Sequence, residues 1–271
     1  MANSTDSFDA ANGQRIDAIL QRLRKSKDIN PHLQQVLDAA ITMTGADMGS
    51  VFKEADMSST AEAIPFRRSM LREHRHVCAF FNSPAEEYDT LLPFICDGIN
   101  CGQRAFHVLP AQHKEDHLKR LRNAGVDVEK ATKSRQLEIA LPQDTYLKTG
   151  RFNKDAMLAL IQQALKGGAA LGFPMTPMIA HAETAVDDWQ SGKEWVEYEM
   201  RLNHVLPNYG DPVICTYDVN LLTAPLAVDI LRTHPMVIIG GVLVENAFFT
   251  RPEDFIREVQ ARTGPLQAYR G

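Results

Sequence analysis

The sequence lacks a long apolar run, and this absence sets the first limit on what the protein can be. No stretch of about 18 apolar residues, the minimum for a membrane-spanning helix, occurs in the 271 residues. The first seven residues also lack the basic and apolar parts of a signal peptide. We therefore expect a cytoplasmic protein with no membrane partner.

Clustered positive charge is missing as well. The chain has 29 Lys and Arg against 34 Asp and Glu, which gives a formal net charge of −5. Because no basic block could neutralise several phosphates, direct binding to nucleic acid is not expected. We find no helix-turn-helix with a basic recognition helix and no histidine-kinase box, so a signal would have to pass to another chain.

Cysteine is scarce, and its spacing fits no disulfide framework. The four cysteines form no CxxC pair, and they are too sparse for a disulfide-rich domain. We interpret them first as small buried residues. They are Cys78, Cys96, Cys101 and Cys215.

One alternative for these residues is a metal site. His113 and His117 stand four apart on a predicted helix, which would put both rings on one face, and Cys96 and Cys101 precede them. However, the intervening residues 114–116 indicate a solvated face, and the cysteine spacing matches no common zinc motif. We therefore predict neither a metal nor another cofactor.

The N-terminal quarter is predicted to be helical. Apolar residues recur at helical spacing in 16–23 and 33–41, so we interpret residues 1–72 as a helical appendage. Residues 33–51 resemble the opening of a GAF domain, although the segment is too short for a whole one. Its apolar stripes can pack on the main domain or form a homodimer through a helix bundle, and the sequence leaves both open.

From residue 73 to the end, short apolar runs alternate with amphipathic helices. This rhythm predicts an α/β domain in which helices cover both faces of a mostly parallel sheet. The last two runs, 236–239 and a further strand through Val244, are separated by Gly240 and Gly241 and could form an antiparallel hairpin. The predicted strands are 77–81, 104–109, 137–141, 175–180, 212–217 and 236–239.

Several segments of this domain, in the same order, resemble the MEDS family. This is the sensory domain named for methanogens, methylotrophs and the dichloromethane-dehalogenase repressor DcmR. The resemblance covers about residues 76–259, and its most specific part is the Leu-Arg-Thr-His-Pro run at 231–235. The matching segments are 77–88, 92–98, 144–147, 150–152, 197–203, 215–218 and 231–241.

The resemblance implies a role in signal transduction or transcription regulation. Members of the family are thought to sense simple organic, hydrocarbon-derived molecules and to signal to a kinase, a transcription factor or an anti-sigma protein. Their architecture is similar to that of the RecA and KaiC ATPases. We therefore expect a three-layer core of RecA/KaiC type, a small organic ligand and a partner signalling protein.

The segment at the P-loop position argues against catalysis. A working P-loop uses glycines to surround the phosphates, a lysine to reach them and a Ser/Thr to hold magnesium. Residues 82–87 contain no glycine and no lysine, Pro84 removes a donor, and Glu86 and Glu87 would repel a triphosphate. We predict a degenerate P-loop that does not hydrolyse ATP, and we interpret the segment as a well-capped helix start.

Polar residues follow the predicted strands at the edge where ligands bind in open parallel sheets. We predict that they line a ligand pocket, although Ser83, Glu183 and Asn220 can instead cap helices and Tyr217 can be a core residue. The candidate ligand-binding residues are Asn82, Ser83, His107, Gln143, Arg151, His181, Glu183, Tyr217, Asp218 and Asn220.

Charged residues near this edge of the sheet could have other roles. Asp218 occupies the place of the magnesium-side carboxylate of RecA-type ATPases, and Arg151 or Arg232 can pair with it. Arg151 can also contact an anionic ligand. The 231–235 run can be explained without a ligand, as a helix end with cationic groups near its C-terminus.

These observations favour a non-catalytic small-molecule sensor. Two other functions stay open: a KaiC-like protein that binds nucleotide without hydrolysing it, and a ligand-free module for protein interactions. Saturable nucleotide binding would identify the first, and a closed, fully packed sheet edge near Asp218 would favour the second.

Overall fold

The computed structural model describes residues 63–67, 69–182 and 189–261. A seven-stranded sheet in the order β5-β4-β6-β7-β3-β8-β9 forms its centre, beside a two-stranded hairpin of β1 and β2. The strands are β1 (Ile64–Phe66), β2 (Ser69–Leu71), β3 (His76–Phe81), β4 (Ala105–Val108), β5 (Leu137–Ala140), β6 (Met178–His181), β7 (Val213–Asp218), β8 (Met236–Ile239) and β9 (Val242–Glu245). The helices are α1 (Pro84–Asn100), α2 (Lys114–Asn123), α3 (Val128–Lys133), α4 (Lys154–Ala170), α5 (Trp189–Val205), α6 (Ala224–Thr233) and α7 (Pro252–Ala261).

The sheet confirms the predicted mostly parallel α/β architecture. Neighbouring strands from β5 to β8 are parallel, and β9 pairs antiparallel with β8 at the edge. The β8–β9 turn is tight because Gly240 and Gly241 both adopt positive φ, 57° and 71°, as a two-residue hairpin turn requires. Of the helices, α3 was not predicted. Among the described residues no helix is both long and apolar enough to span a bilayer.

Successive side chains on each strand point to opposite faces, and this divides the core into two. One face, here called the hairpin face, is covered by α1, α2, α3 and the β1–β2 hairpin. The other, here called the α5 face, is covered by α4, α5, α6 and α7. On β7, for example, Cys215 and Tyr217 point to the α5 face, whereas Ile214 points to the hairpin face.

The β1–β2 hairpin differs from the predicted helical appendage. Ile64, Phe66 and Leu71 are buried in the hairpin-face core, and the ring of Phe66 lies 5.2 Å from that of Phe94. Apolar residues two apart suit a strand with one buried side, so a helix was the wrong prediction for residues 64–71. The rest of the predicted appendage, residues 1–62, lies outside the described residues. The domain division at residue 72 stays a prediction.

The start of α1 has the capping that its sequence indicates. The Glu86 backbone N–H donates to Ser83 Oγ at 3.3 Å, and Pro84 takes the first helical position. The Glu86 carboxylate in turn accepts from the backbone N–H and the side-chain amide of Asn82, both at 2.8 Å. The segment is therefore stabilised by its own side chains, in a variant of the capping box.

Candidate functional site

A chain of three hydrogen-bonded rings lies at the carboxyl end of β4. His107, near the end of that strand, lies 2.8 Å from His117 of α2, measured from Nδ1 to Nε2. His117 Nδ1 lies 2.8 Å from the hydroxyl of Tyr88 on α1. All three side chains are buried. Because each neutral imidazole has one N–H and one lone pair, the two hydrogen bonds must run in the same direction along the chain.

A histidine–carboxylate contact lies beside these rings. His181, the last residue of β6, places Nε2 3.1 Å from a carboxylate oxygen of Glu87 in the first turn of α1. The His113 ring packs on His181 with centroids 5.7 Å apart. Strand β6 neighbours β4 in the sheet, so this pair and the three rings share one edge of the hairpin face.

These groups and four aliphatic side chains enclose a cavity, here called the histidine cleft. Its volume is about 10 Å³, which is room for roughly one water molecule. The cleft joins an apolar wall to a few convergent polar groups, as small-molecule sites do. It is lined by Glu87, Tyr88, Leu91, Ile95, His107, Leu109, His117, Ile179 and His181.

Burial keeps the rings of His107 and His117 neutral. Desolvation, reinforced by the nearby His117 and His181, lowers the pKa of His107 well below its usual value. Desolvation and His181 lower the pKa of His117 to about 4. Burial and the charge of Glu87 raise the pKa of the Tyr88 hydroxyl. At neutral pH the chain is therefore made of uncharged donors and acceptors.

A second group of predicted residues meets at the ends of β3 and β7. Asn220 donates its side-chain amide to the backbone oxygen of Asn82 at 3.1 Å and to Asp218 Oδ1 at 2.7 Å. Asp218 Oδ1 also accepts the Asn220 backbone N–H at 2.9 Å. With Ser83 capping α1, these residues are occupied in local turns. One acceptor, Asn82 Oδ1, is buried and has no hydrogen-bond partner among the described residues.

The remaining predicted residues do not join either group. Gln143 and Arg151 are exposed, and Glu183 lies outside the described residues. Tyr217 lies on the α5 face, one position out of phase with Asp218, so the prediction that it shares a pocket with His107 and His181 is wrong. Its core alternative holds, since only 1% of its surface is exposed.

The structure corrects two predictions about charged side chains near residues 231–235. Arg232 binds Glu258 through two hydrogen bonds of 3.0 and 2.8 Å instead of pairing with Asp218. His234 is fully buried, and desolvation together with His76 lowers its pKa to about 3. It is therefore neutral and does not act as a cation at the end of α6.

Potential metal ligands converge on the α5 face, and not at the histidines and cysteines that the sequence analysis considered. His113 is exposed whereas His117 is buried, so the two rings do not share a surface. Across residues 63–67, 69–182 and 189–261, one set of potential ligands converges, on the α5 face: His76, Glu199, Cys215 and His234.

Only weak local signals exist for the residues that the sequence analysis missed. Glu87 and Tyr88 follow a predicted helix start, and an acid in the first turn is already explained by capping. His117 was noted only as a neighbour of His113. The four members of the α5-face set lie on separate elements, and no local spacing connects them.

Comparison with known proteins identifies the family. The model of the MEDS family, the methanogen/methylotroph, DcmR sensory domain, matches residues 75–235. The chain belongs to the MEDS family. The match spans the sheet from β3 to the end of α6, and it includes every element that lines the histidine cleft.

Two proteins illustrate what this MEDS chain is similar to. The transcriptional repressor DcmR of Methylorubrum extorquens is 29% identical over 164 residues, which are 59% of this chain and 58% of the repressor. The chain thus matches little more than half the length of that relative. A KaiC-like protein, PH0186 of Pyrococcus horikoshii, is 18% identical with a TM-score of 0.39, over 61% of this chain and 70% of the other.

Proposed function

We propose that this MEDS protein is a non-catalytic sensor which binds a simple organic molecule in the histidine cleft and signals to a partner protein. The observation that carries the proposal is the cleft itself. Apolar side chains and imidazole rings surround a small space at the carboxyl edge of parallel strands, where α/β proteins bind ligands.

The composition of the cleft suits a small and weakly polar ligand. Leu91, Ile95 and Ile179 offer aliphatic contacts. Both nitrogens of His117 and Nδ1 of His107 are already hydrogen-bonded, which leaves Nε2 of His107 as the ring nitrogen that can meet a ligand. The Glu87–His181 pair closes one side. The volume of about 10 Å³ excludes sugars and nucleotides, and a ligand of two or three heavy atoms would have to push the lining side chains apart as it binds.

The start of α1 supports the view that no phosphoryl chemistry takes place. A P-loop helix offers its free backbone N–H groups to phosphate. Here the Glu86 carboxylate already accepts the Asn82 N–H, and Glu87 adds a second negative charge in the first turn. A nucleotide would have to displace one carboxylate and approach the other.

The relatives of the chain support a regulatory role. The family is a sensory domain, and DcmR is a transcriptional repressor. We propose that ligand binding changes how the MEDS surface contacts a kinase, an anti-sigma factor or a transcription factor. A cytoplasmic location stays a prediction.

Thermal unfolding with a panel of probes tests the sensor proposal. The probes are methanol, formate, methylamine and dichloromethane, with ATP–Mg²⁺ as the nucleotide arm. A ligand at 100 times its Kd should add about 2.7 kcal/mol, which is a shift in Tm of roughly 5–10 °C for a domain of this size. We expect one organic class to give that shift and ATP to give none.

Two substitutions in α1 test whether the shift in Tm comes from binding in the histidine cleft. Ile95→Phe fills the cleft and should abolish the shift, whereas Ile99→Phe, one helical turn away and outside the cleft, should keep it. Circular dichroism checks that both variants fold. A panel that stabilises neither the natural protein nor Ile99→Phe would overturn the sensor proposal, and a shift with ATP alone would favour the nucleotide-binding alternative.

A further inference from the structure

A sealed polar group lies under α5, on the opposite face of the sheet from the histidine cleft. It consists of His76 at the start of β3, Glu199 on α5, Cys215 in β7 and His234 after α6, and we call it the Glu199 centre. One potential ligand atom of each residue lies within 4.8 Å of the other three, and each side chain is buried. Buried polar groups of this kind need partners, so the positions of their protons matter.

The proton of His76 can be located from its neighbours. Asn203 donates its amide N–H groups to the backbone oxygens of Glu199 at 3.0 Å and Thr233 at 2.7 Å. The amide oxygen of Asn203 therefore faces His76 Nδ1, 3.0 Å away, and must accept a hydrogen bond from it. With Nδ1 donating to Asn203, the other ring nitrogen of His76, Nε2, faces Glu199 Oε2, 3.1 Å away.

His234 is held in the same tautomer. Its Nδ1 lies 2.9 Å from the backbone oxygen of Ile230, which can only accept, so Nδ1 carries the proton. Nε2 is buried, has no hydrogen-bond partner among the described residues, and lies 3.6 Å from Glu199 Oε2. Its lone pair therefore enters the centre unsatisfied.

The carboxylate of Glu199 is oriented as well. Tyr217 donates its hydroxyl proton to Oε1 at 2.7 Å and itself accepts from the indole N–H of Trp195 at 2.9 Å. This leaves Oε2 as a third acceptor turned toward the two imidazoles. The sulfur of Cys215 completes the group, 3.9 Å from His76 Nε2 and 3.8 Å from Glu199 Oε2.

We propose that the Glu199 centre binds a divalent transition metal, Zn²⁺ by preference, through His76 Nε2, His234 Nε2, Glu199 Oε2 and Cys215 Sγ. Two imidazole nitrogens, a carboxylate oxygen and a thiol converge within 4.8 Å of one another. When the metal binds, the thiol proton and any proton held between His76 and Glu199 leave for solvent, and the thiolate and carboxylate balance the charge of the ion.

The geometry fits a closed tetrahedral site. Metal–ligand distances of about 2.0–2.3 Å place neighbouring ligand atoms roughly 3.3–3.7 Å apart, and four of the separations in the centre are 3.1, 3.6, 3.8 and 3.9 Å. Each imidazole donates its other N–H to an oxygen and the carboxylate is hydrogen-bonded, as around protein-bound zinc. Four protein ligands leave no open position, which indicates a structural metal that joins β3, α5, β7 and the end of α6.

Metal analysis of the purified full-length chain tests the proposal directly. Protein expressed in medium supplemented with zinc should contain about one metal ion per chain by mass spectrometry. Protein unfolded with a chelator and refolded with Co²⁺ should show the visible bands of tetrahedral cobalt and a near-ultraviolet thiolate charge-transfer band. If both preparations lack stoichiometric metal, the proposal is wrong, and this measurement needs no variant.

The two cysteines of the central strands provide a matched pair of variants. Cys78 and Cys215 are both buried, point to the same face and stand opposite each other in the parallel register of β3 and β7. Cys215→Ser should lose the charge-transfer band and weaken Co²⁺ binding more than about 100-fold, whereas Cys78→Ser should keep both. Equal binding by the two variants would overturn the assignment of Cys215 as a ligand.

Discussion

The histidine cleft and the Glu199 centre use the same kinds of side chain in opposite ways. Each has buried imidazoles and a glutamate on one face of the sheet. In the cleft, His107 and His117 satisfy each other and Tyr88 by hydrogen bonds and leave a small space beside them. In the centre, the Nδ1 protons of His76 and His234 are bound to outer oxygens, so the Nε2 atoms of both rings point into the interior of the group.

The difference shows that the outer partners of a histidine decide what the ring can bind. When both nitrogens of a ring are hydrogen-bonded to other rings, as in His117, the ring needs no further partner. The space beside it can then be empty or hold a ligand. A ring whose Nδ1–H is held by an outer oxygen turns its other nitrogen inward, where it can bind a metal. The cleft is therefore suited to a ligand that comes and goes, and the centre to an ion that stays.

The largest effect is expected from removing the charge of the Glu199 centre. Glu199→Gln takes away a buried anion whose loss should lower the free energy of unfolding of the zinc-saturated protein by about 3–5 kcal/mol. The control, Glu197→Gln, lies two residues away on α5 and breaks a partly exposed pair with Lys154, so it should cost less than about 1 kcal/mol. Guanidinium unfolding measures both.

The stability of Glu199→Gln also tests whether the Glu199 centre differs from the histidine cleft. The side-chain amide that Glu199→Gln introduces could donate to the His76 lone pair, which would replace an ion by a simple hydrogen bond. If Glu199→Gln were as stable as the natural protein, the centre would hold no metal, and both groups would be ordinary buried networks.

A smaller effect is expected from the titration of the cleft. His117 is protonated below pH 6.5 in the unfolded chain but only near pH 4 in the folded one, so the unfolded state takes up protons first as the pH falls. The contribution of His117 to the free energy of unfolding is fully present above pH 6.5. It falls by about 3 kcal/mol between pH 6.5 and 4. The charged and titratable groups around it are Glu87, Tyr88, His107, Asp116, Arg120 and His181.

The variant His117→Gln isolates that contribution. Its free energy of unfolding should fall less steeply than that of the natural protein across this pH window, measured by denaturant unfolding at pH 7 and pH 4.5. His204→Gln removes an exposed ring that pairs with Glu253 and should leave the slope unchanged. An unchanged slope for His117→Gln would contradict a buried, neutral His117.

The smallest effect is expected at the outer wall of the cleft. Arg120 stacks on the Tyr88 ring at 4.3 Å and pairs with Asp116 at 2.6 Å on the surface. Arg120→Ala should cost about 1 kcal/mol, of which roughly half is the contact with the ring. Arg122→Ala, which breaks a surface pair with Glu129, is the matched control. Equal losses of stability in the two variants would mean that the stacking of Arg120 on the Tyr88 ring does not stabilise the protein.

The sequence alone determined the fold class, because each signal for it is local. All six residues of β3 are buried, as continuous apolar runs predict for strands covered on both sides. The cap of α1 and the glycine turn before β9 could likewise be predicted from a few neighbouring residues. The β1–β2 hairpin was missed because its strands have three residues each, too few for a period to show.

Tertiary structure alone decided which polar residues meet. The pairing of β4 with β6 brought His107 and His181 to one edge, and the alternation along β7 sent Tyr217 to the face opposite theirs. The Glu199 centre joins residues up to 158 positions apart, from His76 to His234. No spacing rule spans such distances, since packing of helices on the sheet, and not the local chain, places these atoms within 4.8 Å of one another.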